Sequence, residues 1–248
     1  MSERHHLVTP VREGTSVSEA APARCTTRHI TTTHEHKPIP EDALVAWAMA
    51  YVRAHGMDPW GIHGVAHWWR VRHNGVLVAQ AMGARPHVVT MFAILHDSHR
   101  HDDLDDPDHG PRAAEWLLRV RGASAEHVNG DMLAGAPLHL KPADVDARIV
   151  APAIHVIRAL DRRDFDALVD ACRLHTHERT HPDPTVAACF VADRLDLSRV
   201  GYRPDTARMP ALQEVLTDAF IDAAMERERR GLDWPGGQEI REAWNLRM

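Results

Sequence analysis

The chain has 248 residues, 44 % of them hydrophobic, which suits one well-filled domain or one domain with an appendage. A net charge of −6 argues against a dedicated nucleic-acid binder, which carries a basic face for phosphates, but leaves room for a small nucleotide held by a metal and a few arginines. No apolar stretch approaches the ~20 residues that span a bilayer, and the N-terminus lacks an apolar signal core, so no membrane association and a cytoplasmic location are expected.

Residues Met1 to about Pro40 show no apolar period and are rich in Thr, Ser, Pro and His, which predicts a flexible N-terminal arm. From Pro40 onward helical patterns dominate. Acids at Glu41 and Asp42 open the first helix and Gly56 closes it. A second helix is expected over about Gly61–Ala81, stopping near Gly83. Pro86 opens a third, apolar one that ends at His96-Asp97. Asp97 to Asp108 reads as an acidic turn, and Pro107–Arg121 as helix again, stopped by Gly122. Ser124–Lys141 is broken by glycines and prolines. Further helices are expected over about Pro142–Ala159, Asp164–His175, Pro184–Leu197, Pro210–Arg230 and Gln238–Arg247. Strand alternation is scarce. The expected architecture is all-α, with residues 41–248 forming the helical domain and its C-terminal extension. Cys25, Cys172 and Cys189 have no paired spacing and read as reduced thiols.

The chemistry-bearing residues lie in three stretches. His63 and His67 are four apart, so on one continuous helix both would project from the same face. His96 and Asp97 end the apolar run Val88–Leu95, where a rigid helix delivers an imidazole nitrogen and a carboxylate oxygen. Those donors suit Mn²⁺, Fe²⁺, Co²⁺ or Zn²⁺. Asp193 sits within the largely apolar Ala187–Ala192 run, and an acid there is either paired or coordinating, because an isolated buried carboxylate is expensive. Its neighbours Arg194 and Asp196 read as ordinary surface partners.

The order His…His-Asp…Asp, each member on a predicted helix, resembles the HD superfamily of metal-dependent phosphohydrolases. The closest resemblance is to a group of bacterial HD-domain proteins, through His63–Val71, His96–Ser98, Asp106–Gly110 and Ala192–Leu197, with Arg199–Pro204 counted as part of the similarity. The resemblance implies one HD-type helical bundle in which His67, His96, Asp97 and Asp193 bind one ion. It places Arg100 beside a substrate phosphate. His109 and His175 take the place in the order where dinuclear members hold a second metal, against the reading of each as a capping or core histidine. The implied activity is hydrolysis of a small phosphomonoester or phosphodiester, foremost a nucleotide. Two other readings stay open: a di-iron oxygenase of a small polyol or phosphonate, and a non-catalytic metal-stabilised binding protein, with oligomerisation left undecided. A Gly-Tyr-Pro motif, a Glu-Asp pair after His-Asp and a Walker lysine loop are all lacking. Those absences disfavour cyclic-dinucleotide, alarmone and ATP-driven functions.

Overall fold

A computed structural model of the chain describes residues 41–122, 147–210 and 217–231. Among them the protein is all-α. Its helices are α1 (Glu41–Ala54), α2 (Val65–Met82), α3 (Pro86–Leu95), α4 (His109–Gly122), α5 (Ala147–Ala159), α6 (Arg162–Leu174), α7 (Pro184–Arg194) and α8 (Asp218–Arg229), with a short 3-10 turn at Leu197–Val200. None is long and apolar enough to cross a membrane. The expected arm Met1–Pro40, the Ser124–Lys141 segment and the helix over Gln238–Arg247 lie outside the described residues.

Helix α3 is the centre of the molecule. It begins with Pro86 in its first turn, where a missing N–H costs nothing, and every residue from Val88 to Leu95 is buried. A helix apolar on all sides must be covered on all sides; α1, α2, α6 and α7 pack around this one. Each fully buried large side chain, such as Phe92 or Ile94, contributes roughly 1.5–3 kcal/mol relative to exposure. Gly75 sets how closely α2 approaches. A Cβ there would stand 2.4 Å from Val89 Cγ1 and 2.9 Å from Ala192 Cβ, so only glycine lets α2 lie against both α3 and α7.

The starts of α3, α6 and α7 are tied by one guanidinium. Arg85 donates to Asp164 Oδ1 (2.8 Å), Asp183 Oδ2 (2.6 Å) and Thr185 Oγ1 (3.0 Å). Asp183 also caps α7 by accepting from Thr185 N (2.7 Å), while Asp161 caps α6 through Asp164 N (2.8 Å). The three helices therefore leave a common anchor and deliver their far ends, His96, His175 and Asp193, to one place.

Three boundaries differ from the sequence expectation. Helix α2 starts at Val65, not near Gly61, because the chain turns tightly over Pro59–Gly64, with Val65 N donating to Pro59 O (2.9 Å). His63 therefore lies in that turn rather than one turn below His67 on a shared helix face. Helix α7 stops at Arg194 and gives way to the 3-10 turn. Helix α8 starts at Asp218, where Thr217 in extended conformation caps it through Phe220 N (3.3 Å), so no helix runs unbroken from Pro210.

Candidate metal centre

Four side-chain atoms from α2, the end of α3 and the end of α7 converge in the interior. His67 Nε2 lies 3.2 Å from His96 Nε2, 3.2 Å from Asp97 Oδ2 and 3.5 Å from Asp193 Oδ1. His96 Nε2 lies 3.3 Å from Asp97 Oδ2 and 3.7 Å from Asp193 Oδ1. Donors about 2.1 Å from a shared ion stand about 3.0 Å apart at right angles and about 3.4 Å apart in a tetrahedron, so the separations among His67, His96 and Asp97 fit one coordination sphere.

Each imidazole is oriented from behind. His67 Nδ1 donates to Asp196 Oδ2 (2.8 Å), and Arg70 holds the same carboxylate through Nε (2.6 Å) and Nη2 (3.0 Å). His96 Nδ1 donates to Phe92 O (3.1 Å) and Ala93 O (3.2 Å). Both rings thus direct Nε2 inward, the arrangement by which a backing acceptor fixes tautomer and orientation of a ligating histidine. Asp97 Oδ2 is buried and has no hydrogen-bond partner. It is surrounded by ligand atoms at ion-pair distance, none in hydrogen-bonding geometry, which is how donors aimed at a common centre are disposed. A buried carboxylate oxygen left so would be costly without a cation. His67, His96 and Asp97 can therefore hold a metal ion, and Asp193, half-buried beside them, groups with His96 and His175 as a further potential ligand set.

A second group shares Asp97. Its other oxygen, Oδ1, is 3.1 Å from His109 Nε2 and accepts from Arg100 Nε (3.0 Å). His109 Nε2 faces His175 Nε2 at 2.9 Å, while each ring donates Nδ1 to a carbonyl, Asp106 O (2.5 Å) and Cys172 O (2.8 Å). Two lone pairs so directed require a proton or a cation between them. Asp97, His109 and His175 form a further potential ligand set, and His96, His175 and Asp193 a third. Gly110 makes the meeting of α4 with the end of α6 feasible: a Cβ there would stand 2.4 Å from Cys172 O and 2.9 Å from His175 Cε1.

The electrostatics agree with a cation-seeking pocket. Burial opposes charge on His96, yet Asp97 and Asp193 outweigh it and raise the imidazole to about 10. Burial alone would raise Asp97 and Asp193; the surrounding histidines hold both well below the usual carboxylate range. A proton on His96 thus offsets one of the two carboxylate charges. Burial, joined by the charge of His96, lowers His175 to about 3, and burial lowers His63 to about 4. Both are neutral donors at neutral pH.

All of the expected site residues meet here: His67, His96, Asp97 and Asp193 in one group, His109 and His175 beside it, and Arg100 at its edge. His63 joins them from its turn, with Nδ1 3.0 Å from Asp103 Oδ1 and its ring 6.1 Å from that of His67. One expectation is corrected. Asp196 is wholly buried, not a surface partner, because the chain tightens after α7 and carries it beneath His67 and Arg70. Arg194 is likewise partly buried and donates to His175 O (3.0 Å). Compared with models of protein families, with curated proteins and with solved structures, the chain matches none.

Proposed function

We propose that this protein is a metal-dependent phosphohydrolase of the HD type, acting on a small phosphomonoester or phosphodiester, foremost a nucleotide. The observation that supports it most strongly is the division of Asp97: Oδ2 serves the His67/His96/Asp193 group and Oδ1 the His109/His175 group. A carboxylate so shared suits two neighbouring divalent ions, with His67, His96, Asp97 and Asp193 as the primary ligand set and His109 and His175 as ligands of the second. Bound metal would supply Lewis acidity, polarising a phosphoryl oxygen and lowering the pKa of a water toward neutrality.

The remaining residues have roles set by their contacts. Arg70 and Asp196 fix the ring of His67. Arg100 steadies Asp97 through Nε and binds Asp102 O through Nη1 (3.0 Å), and its remaining Nη2 has no partner among the described residues. That group can meet charge accumulating on the phosphoryl oxygens. His63, held by Asp103, presents a neutral ring that can orient the attacking water. The water oxygen bonds to phosphorus as the bond to the leaving oxygen breaks, and the proton that the water gives up passes to that oxygen.

The paired groups also accommodate the di-iron reading, oxidation of a small polyol or phosphonate, because His109 and His175 reach the site as well. Metal analysis of protein purified without chelators, followed by a panel of phosphomonoesters and phosphodiesters with that metal, tests the proposal. Release of phosphate or nucleoside supports it. Normal metal content without turnover of any ester refutes it, and a mixed-valent di-iron resonance in aerobic, iron-loaded protein would favour the oxygenase.

A further inference from the structure

Three segments border the partly exposed side of the centre, where Asp193 meets solvent: the turn carrying His63, the loop carrying Arg100 and Asp103, and the 3-10 turn carrying Arg199. They are joined to one another. His63 Nδ1 pairs with Asp103 Oδ1 (3.0 Å), Arg100 Nη1 binds Asp102 O (3.0 Å), and Arg199 donates from Nε to Ile62 O (3.2 Å) and from Nη1 to Asp196 O (3.2 Å). Arg199 is half-buried, its positive charge reaches both Asp193 and His63, and its Nη2 has no partner among the described residues. Two guanidiniums, Arg100 and Arg199, thus belong to the segments that meet at His63, and the charge of each reaches its ring.

The same segments carry most of the large apolar surface. Of the six exposed large hydrophobic residues among those described, Leu77 and Leu118 lie on α2 and α4, whereas Ile62, Leu104, Val200 and Tyr202 are on or next to the bordering segments. Leu104 is 91 % and Tyr202 69 % exposed, which a merely structural loop gains nothing from. Exposed apolar side chains on the same segments as charged groups match the composition of a small-molecule site, in which a few polar groups orient the ligand and apolar ones cover it.

We infer that Arg199 is a substrate-binding residue that, together with Arg100, grips the phosphoryl group of a compound whose organic part is an aromatic or apolar face lying on Ile62, Leu104, Val200 and Tyr202. The inference rests on the phosphohydrolase reading for the nature of the anion. It narrows the substrates to esters such as aryl phosphates or nucleotides and disfavours phosphates of small polyols. A second guanidinium suits a doubly charged terminal phosphate, since two forks can engage separate oxygens.

Binding of phenylphosphonate and methylphosphonate to Mn²⁺-loaded protein, followed by calorimetry, tests this without requiring turnover, because neither carries a hydrolysable ester. Phenylphosphonate should bind the tighter by tenfold or more, as the burial of a ring implies. Arg199→Gln should weaken both ligands by about tenfold or more with manganese content unchanged, and Arg199→Lys should recover part of the loss. Tyr202→Ala, at a side chain too exposed to affect folding, should weaken phenylphosphonate alone. Equal affinity for the two ligands, or unchanged binding in Arg199→Gln, overturns the inference even if esters are hydrolysed. Arg199-dependent binding without hydrolysis of any ester would uphold it while refuting the phosphohydrolase reading.

Discussion

Asp196→Asn tests whether the buried carboxylate behind His67 is part of the metal centre. The substitution keeps shape and volume but removes the charge that answers Arg70 and replaces one accepting oxygen by an NH₂ donor facing either His67 Nδ1–H or the Arg70 guanidinium. Asp196 is fully buried and the Arg70 side chain is 8 % exposed, so the pair is desolvated on both sides. Breaking such a pair from one side costs about 3–5 kcal/mol. At about 2–4 °C per kcal/mol for a protein of this size, the metal-free form should melt on the order of 10 °C lower. A second effect is separable from the first. Without its acceptor, His67 can carry its proton on Nε2, the atom aimed at the ligand group, and loss of such a backing acceptor weakens metal binding by about 10–100-fold. The rise in melting temperature on adding metal should then shrink, by the equivalent of about 1.4–2.7 kcal/mol at saturating metal. Differential scanning calorimetry at a series of Mn²⁺ or Zn²⁺ concentrations measures both. A metal-free form that is destabilised but gains as much from metal as the wild type would refute the orienting role of Asp196.

Asp97→Ala and Asp193→Ala should each lose metal, activity and the metal-dependent gain in melting temperature, whereas His5→Ala should change none of them. Arg100→Ala should retain metal while turnover falls, by the on the order of 2–4 kcal/mol that one transition-state hydrogen bond contributes, and equal activity in the variant would remove Arg100 from the site. Gly110→Ala, with its Cβ driven against Cys172 O, should part His109 from His175; a drop in metal stoichiometry with the His67/His96 ion retained is the expected result by elemental analysis. The pH dependence follows from the sign of each shift. His96 is raised to about 10, so in the metal-free protein its contribution is complete below the ordinary histidine value near ~6.5 and is lost as pH rises toward about 10. His175 and His63, lowered to about 3 and about 4, act oppositely: the unfolded chain takes up their protons first, and stability falls as pH drops below ~6.5. Metal-free stability should peak near the histidine range. Metal uptake at neutral pH should release about one proton from His96, which pH-stat titration would detect.

Much of this candidate centre is legible from the sequence because its residues sit at helix ends, and helix ends have local signals. An apolar run that stops at His96-Asp97 must be a buried helix with polar atoms at its mouth. His109 after Asp106-Pro107-Asp108, and His175 at the close of an amphipathic run, are suggested only by their place in the order of the resembling superfamily, and a capping or core role fits their local sequence equally well. Asp193 stands out as an acid among apolar neighbours. What escapes is whatever depends on distant partners. Asp196 looks like surface polarity because Arg70, which neutralises it, is 126 positions away. The side chain of His63 is misplaced onto a helix because the Pro59–Gly64 turn is closed by a backbone bond that no residue type announces. The Arg85 anchor is invisible for the same reason: Asp164 and Asp183 are separately readable as helix-start acids, but their common partner is not.

In the proposed reading, His67, His96, Asp97 and Asp193 hold one ion together. Anomalous difference density from a crystal of the protein loaded with Mn²⁺ or Zn²⁺ tests it most directly. A peak is expected about 2.0–2.3 Å from His67 Nε2, His96 Nε2, Asp97 Oδ2 and Asp193 Oδ1. Density elsewhere, or none at this point under excess metal, would contradict it.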